Sequence, residues 1–118
     1  MKILVIEDDP QTAHGMARSL EAEGHDVEIS LDGLDGEARA VFSGHDVLIV
    51  DRMLPGQDGL ALVKKLRAAQ IRTPILIVTT KSMETDRVWG LRQGAKDFLV
   101  KPVAEQELLG RINNLLSG

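Results

Sequence analysis

The chain has 118 residues, 43% hydrophobic and 27% charged, with a formal net charge of −4 and no cysteine. That length allows one compact domain with its own core, residues 1–118, and not two; the missing cysteines exclude disulfides and thiolate metal sites, and the lack of a basic block argues against direct nucleic-acid binding by this chain. No apolar run approaches a bilayer-spanning length, so no membrane association is expected, and the start, Met1 to Ile6, leads into an acidic cluster rather than a signal peptide, which fits a cytoplasmic protein.

Lys2–Ile6 is a short apolar run, predicted as the first strand. Glu7-Asp8-Asp9-Pro10 follows, and Asp9 before Pro10 suits a helix N-cap with proline at the first helical position. Ala13, Met16, Ala17 and Leu20 recur at helical spacing, and Gly24 closes this first helix. Val27–Ser30 is a second, shorter strand. Asp32 or Gly33 opens helix two, with Leu34, Ala38 and Val41 predicted as its inner face and Gly44 as its end. Val47–Val50 is a third strand, apolar throughout and so read as buried on both faces, and Asp51 stands at its carboxyl end. Helix three starts near Asp58, with Leu60, Val63 and Leu66 inward and Lys64, Lys65 and Arg67 outside. Pro74–Val78 forms strand four, followed by Thr79 and Thr80. Helix four covers roughly Glu84 to Gln93 and stops at Gly94, with Val88 toward the core and Trp89 partly exposed. Asp97–Val100 is strand five, ended by Lys101-Pro102. Helix five runs from about Ala104 to Leu116, with Leu108, Ile112, Leu115 and Leu116 facing the sheet. His14, His25 and His45 lack metal-ligand spacing and are read as surface residues.

Alternating short strands and amphipathic helices predict a single doubly wound α/β domain, (βα)5, of flavodoxin-like form, with a parallel sheet in the order 2-1-3-4-5. Ligands bind such sheets outside the carboxyl ends of the strands, at the switch point between strands one and three. That edge would gather Glu7 and Asp8, Asp51, Thr79 and Lys101. Crowded carboxylates raise one another's pKa, and a hard divalent cation relieves the conflict; oxygen-only ligation suits Mg²⁺, with the Met53 carbonyl as a further ligand. A lysine ammonium and a threonine hydroxyl suit a phosphoryl group, so these parts together fit formation of an aspartyl phosphate.

Ile-Glu-Asp-Asp after strand one, Asp51-Arg-Met-Leu-Pro-Gly-Gln-Asp-Gly, Thr79 and Gly-Ala-Lys-Asp-Phe-Leu-Val-Lys-Pro ending at Pro102 stand in order at these strand ends. Over its whole length the chain resembles the CheY-like receiver domains of two-component response regulators. The resemblance implies that Asp51 is the phosphoacceptor, fed by a histidine kinase or histidine phosphotransfer protein. It implies that Glu7, Asp8, Asp51 and the Met53 carbonyl hold Mg²⁺, that Thr79 and Lys101 bind the phosphoryl group, and that the Lys101–Pro102 bond is often cis. Phe98 takes the aromatic switch position, here without a hydroxyl, and Thr79 would drive remodelling of the face made by helix four, strand five and helix five. Such receivers catalyse their own phosphotransfer and autodephosphorylation without being enzymes in the ordinary sense.

The resemblance changes along the chain. Up to about Val78 it is to OmpR/PhoB-type receivers; from Thr79 onward, Thr-Thr-Lys and Lys-Pro-Val are similar to PilH-like stand-alone receivers, as in a natural intermediate or a hybrid joined near strand four. Arg87, Asp97, Glu107 and Arg111 fall where OmpR-type receivers place charges that pair across a homodimer, while Lys96 departs from that pattern. Trp89 is read as part of a partner surface or as partly buried against helix three or five, and Lys81 as a residue leaning over the site or a solvated lysine. The competing readings fit less well. A flavin or nucleotide binder needs a phosphate cradle where Glu7-Asp8-Asp9 stands, a dehalogenase-like phosphatase needs a second acid at Met53, and a pure interaction module needs none of the acidic set.

Overall fold

The computed structural model describes residues 1–80 and 84–117, without the side chains of 84–86. Lys81 therefore lies outside the described residues. The elements alternate: β1 (Lys2–Ile6), α1 (Pro10–Ala22), β2 (Asp26–Ser30), α2 (Gly33–Phe42), β3 (Val47–Asp51), α3 (Gly59–Ala68), β4 (Ile75–Thr79), α4 (Glu84–Gln93), β5 (Asp97–Val100) and α5 (Glu105–Ser117). The strands form one parallel sheet in the order β2-β1-β3-β4-β5. Among the described residues, no helix is long and apolar enough to cross a membrane.

Strand alternation divides the core into two layers. Leu4, Ile6, Leu48, Val50, Ile75 and Ile77 point to the face covered by α2, α3 and α4, where Leu62, Val63 and Leu66 meet them. Ile3, Val5, Val47, Ile49, Leu76 and Val78 point to the face covered by α1 and α5, against Met16, Leu20, Leu108 and Ile112. β3 and β4 are buried at every position, as their unbroken apolar runs require. Helix starts follow their caps: the side chains of Asp9, Asp32 and Asp58 accept from the backbone amides of Thr12, Asp35 and Leu60. The predicted terminators Gly24, Gly44 and Gly94 all have positive φ.

Four expectations are corrected. In α2 the buried face is Gly33, Gly36 and Ala40, whereas Leu34 is 60% exposed and Ala38 and Val41 also face solvent. The reason is proximity: a Cβ on Gly36 would lie 2.6 Å from Ile6 Cγ2, so only the helix's small-residue face fits against β1. In α4, Val88 is exposed and the inward position is Gly90, whose backbone approaches Leu60 and the Phe98 ring. Arg67 is only partly exposed, because its guanidinium turns back to the carbonyls of Ile71, Thr73 and Gly94. His45 is buried, and its Nε2 lies 2.5 Å from Glu28 Oε1. Glu28 also meets Arg39, which holds Asp35 at 2.9 Å.

Candidate functional site

Register places the site. Ile6 is opposite Val50, so the next residues out, Glu7 and Asp51, fall side by side at the carboxyl edge. Asp51 is opposite Val78 and Thr79 is opposite Val100, which brings Thr79 and then Lys101 to the same edge. The connections are pinned: the Arg52 amide donates to Val78 O at 3.1 Å, the Glu7 amide to Ser30 O at 2.9 Å and the Lys101 amide to Thr79 O at 2.6 Å. The Lys101–Pro102 bond is cis.

Glu7, Asp51 and Thr79 are buried at 0%, 5% and 0% exposure, while Asp8 stands in solvent. Lys101 Nζ bridges the two buried acids, bonding Glu7 Oε1 and lying 3.4 Å from Asp51 Oδ2. Burial pushes Glu7 up to about 7; the bond from Lys101 opposes this, and Asp51 beside it adds to it. Burial works against the Lys101 charge, but Glu7 and Asp51 outweigh it and hold this lysine above its usual range. The other oxygen of Asp51 accepts from the Met53 amide at 3.3 Å.

Glu7, Asp8 and Asp51 each offer one carboxylate oxygen, all within 4.8 Å of one another. Three hard oxygen donors crowded this closely fit a hard divalent cation. An open cleft of about 340 Å³ lies beside Asp8, which lines it together with the loop Arg52-Met53-Leu54-Pro55 and Asp58. A larger groove of about 530 Å³ runs from Lys101 between α1 and the β5–α5 connection, lined by Thr12, Met16, Ser19, Val103 and Leu108.

Residues matched by the response regulator receiver domain family are 3–113 of this chain. The chain belongs to that family. It is 42% identical to the protein PilH of Pseudomonas aeruginosa, over 99% of this chain and 98% of that one. It is also 42% identical to the response regulator ArlR of Staphylococcus saprophyticus, covering 98% of this chain and 52% of that protein. The receiver therefore spans nearly all of one relative and about half of the other. The receiver domain of the Francisella response regulator 1452 superposes with a TM-score of 0.95 at 33% identity, covering 98% of this chain and 96% of that one.

Of the predicted switch and partner residues, Arg87, Asp97, Phe98 and Arg111 come together at one cleft. Phe98 is buried, its ring against the backbone of Gly90. Arg87, Leu91, Asp97, Phe98 and Arg111 line a cleft of about 230 Å³ between α4 and α5. Asp97 and Arg111 pair within the chain at 2.6 Å, and this bond holds the Arg111 guanidinium above its usual range. Glu107 is exposed one turn away. Trp89, 53% exposed, lies instead over α3, in a groove with Arg52, Asp58, Leu60, Ala61 and Lys64. The receiver motif reading passed over the Arg52–Asp58 ion pair, 3.5 Å apart, and the burial of Gln57. All three residues stand inside the quoted motif, but nothing in their spacing marks a side-chain contact.

Proposed function

We propose that this receiver accepts a phosphoryl group on Asp51 from the phosphohistidine of a histidine kinase or histidine phosphotransfer protein, in the cytoplasm. The observation that carries the reading is the buried Asp51 carboxylate facing both the Lys101 ammonium and the Glu7–Asp8 acidic pair at the switch point of the sheet. In the transfer, an Asp51 oxygen attacks phosphorus, a P–O bond forms, and the P–N bond breaks. Its electron pair returns to the imidazole, which takes a proton from solvent. Lys101 shifts from its two carboxylates toward the phosphoryl oxygens and neutralises their charge, and Thr79 donates its hydroxyl to one of them. Glu7, Asp8, Asp51 and the Met53 carbonyl would hold Mg²⁺. When bound, the ion supplies positive charge that lets phosphoryl oxygens approach the acids.

The same edge hydrolyses the acyl phosphate slowly, so the receiver resets itself. Thr79 and Phe98 relay the change to the α4–β5–α5 face, where Arg87, Asp97, Glu107 and Arg111 form the partner surface and a homodimer contact, with Trp89 extending the partner surface toward α3. The test uses phosphoramidate, a small donor with a P–N bond, and phosphate-affinity electrophoresis. A shifted band that needs Mg²⁺ and is absent in Asp51→Asn supports the reading. A band retained in Asp51→Asn refutes the assignment of Asp51.

A further inference from the structure

The loop between β3 and α3, residues 52–58, carries Met53 and walls the cleft beside Asp8. It is fastened to α2 at three points. The Gly33 amide donates to Pro55 O at 3.2 Å. Gln57 Nε2 donates to Glu37 Oε1 at 2.8 Å and to Gly33 O at 3.4 Å. Glu37 in turn faces Lys65 of α3 at 3.9 Å. The fit is close enough that a Cβ on Gly33 would stand 2.9 Å from Gln57 Cβ. A glutamine on a short connecting loop is normally solvated, yet this one is only 9% exposed. Both donations of this carboxamide go to α2, while its Oε1 is buried without a hydrogen-bond partner, so the Nε2 bonds alone hold the side chain in place.

We infer that Gln57 is a positioning residue for the cation site: by latching the loop to α2 it fixes the Met53 carbonyl relative to Asp8 and Asp51. This rests on the proposed phosphoacceptor reading, in which that carbonyl is a ligand. Mg²⁺ accepts little departure from its preferred coordination geometry, so a loop that must be ordered on binding loses affinity. Gln57 touches neither Asp51, Thr79 nor Lys101 in any hydrogen bond described for it. Loosening it changes how readily the cation is held and leaves the saturated reaction alone.

The test measures Mg²⁺ binding by calorimetry and the Mg²⁺ dependence of phosphorylation by acetyl phosphate, in wild type and three variants. Gln57→Leu keeps the volume and removes both donors. It should weaken Mg²⁺ about fivefold, the equivalent of one hydrogen bond, and raise the half-saturating Mg²⁺ equally, with the rate at saturation unchanged. Gln57→Glu sets two carboxylates face to face and should weaken Mg²⁺ at least as much. Gln57→Glu combined with Glu37→Gln restores the bond between these two side chains with its direction reversed but leaves Gly33 O without its donor, and should bind Mg²⁺ more tightly than Gln57→Glu while falling short of wild type. If Gln57→Leu fails to fold, the exchange pair carries the test. A folded Gln57→Leu that binds Mg²⁺ as wild type does, a Gln57→Glu defect that the exchange does not lessen, or a lowered saturated rate with unchanged Mg²⁺ dependence overturns the latch alone. A wild-type protein that binds no Mg²⁺ overturns the phosphoacceptor reading and the latch with it.

Discussion

Replacing Arg67 by alanine tests how α3, the α3–β4 connection and the turn before β5 are held together. Its guanidinium donates to Gly94 O from Nε at 3.1 Å and from Nη2 at 2.8 Å, to Ile71 O at 2.7 Å and to Thr73 O at 2.9 Å. Three carbonyls from two separate segments thus lose their donor together. Burial lowers the guanidinium's pKa below the usual arginine range, yet it stays charged at neutral pH. A net contribution of about 1 kcal/mol per satisfied carbonyl gives a loss of about 3 kcal/mol. For 118 residues the unfolding entropy is about 0.25 kcal/mol per kelvin, so Tm should fall by roughly 12 °C. Arg67→Lys reaches one carbonyl at most and should recover about a third of the loss. Urea unfolding followed by circular dichroism measures this, with the m-value unchanged. Hydrogen exchange should rise most at the amides of Ala95 and Lys96, which bond Gly90 O and Ile75 O next to the lost contacts. A loss under about 1 kcal/mol, or exchange rising equally across the sheet, would refute the claim that one side chain joins these segments.

Glu7 gives the receiver a pH dependence in the metal-free state. Its folded pKa of about 7 lies above its ordinary value of 4.5. The folded chain therefore binds that proton more tightly, and stability falls as pH rises from about 4.5 to 7 and then levels, by about 3 kcal/mol. Urea unfolding in EDTA at acid and alkaline pH should show this slope in wild type and its loss in Glu7→Gln; equal slopes would contradict it. The two faces of α2 should respond oppositely. Gly36→Ala should cost about 1–3 kcal/mol, because its Cβ meets Ile6, while Phe42→Ser, at an 84% exposed position, should change stability by less than about 0.5 kcal/mol. The reverse order of effects would contradict the packing of α2 against β1 through Gly36. Trp89 should be quenched readily by acrylamide, since half its surface is open, and a shielded signal would place it against another element.

Strand order, caps and the gathering of Glu7, Asp8, Asp51, Thr79 and Lys101 at one edge were legible because they depend on periodicity and on chain order alone. Each strand is an apolar run with a chemically distinct residue at its carboxyl end, and parallel register carries those residues to one place. The inner face of α2 was misread because hydrophobicity was weighed without distance. Leu34, Ala38 and Val41 have helical spacing, but the gap to β1 admits only Gly36 and its neighbours. Arg67, His45 and Gln57 escaped for a related reason. Their roles lie in bonds to Gly94, Glu28 and Glu37, residues far away in sequence, and no local pattern encodes such partners. For Trp89 the sequence left partial exposure and packing against helix three or five both open, and the side chain is 53% exposed in a groove with α3.

The most direct test of the phosphoacceptor reading is the intact mass of the protein after incubation with acetyl phosphate and Mg²⁺, beside an EDTA control and Asp51→Ala. The account predicts a gain of one phosphoryl group in wild type with Mg²⁺, and none in the control or the variant. No gain by a folded wild-type protein that binds Mg²⁺, or a gain that survives in Asp51→Ala, would contradict it.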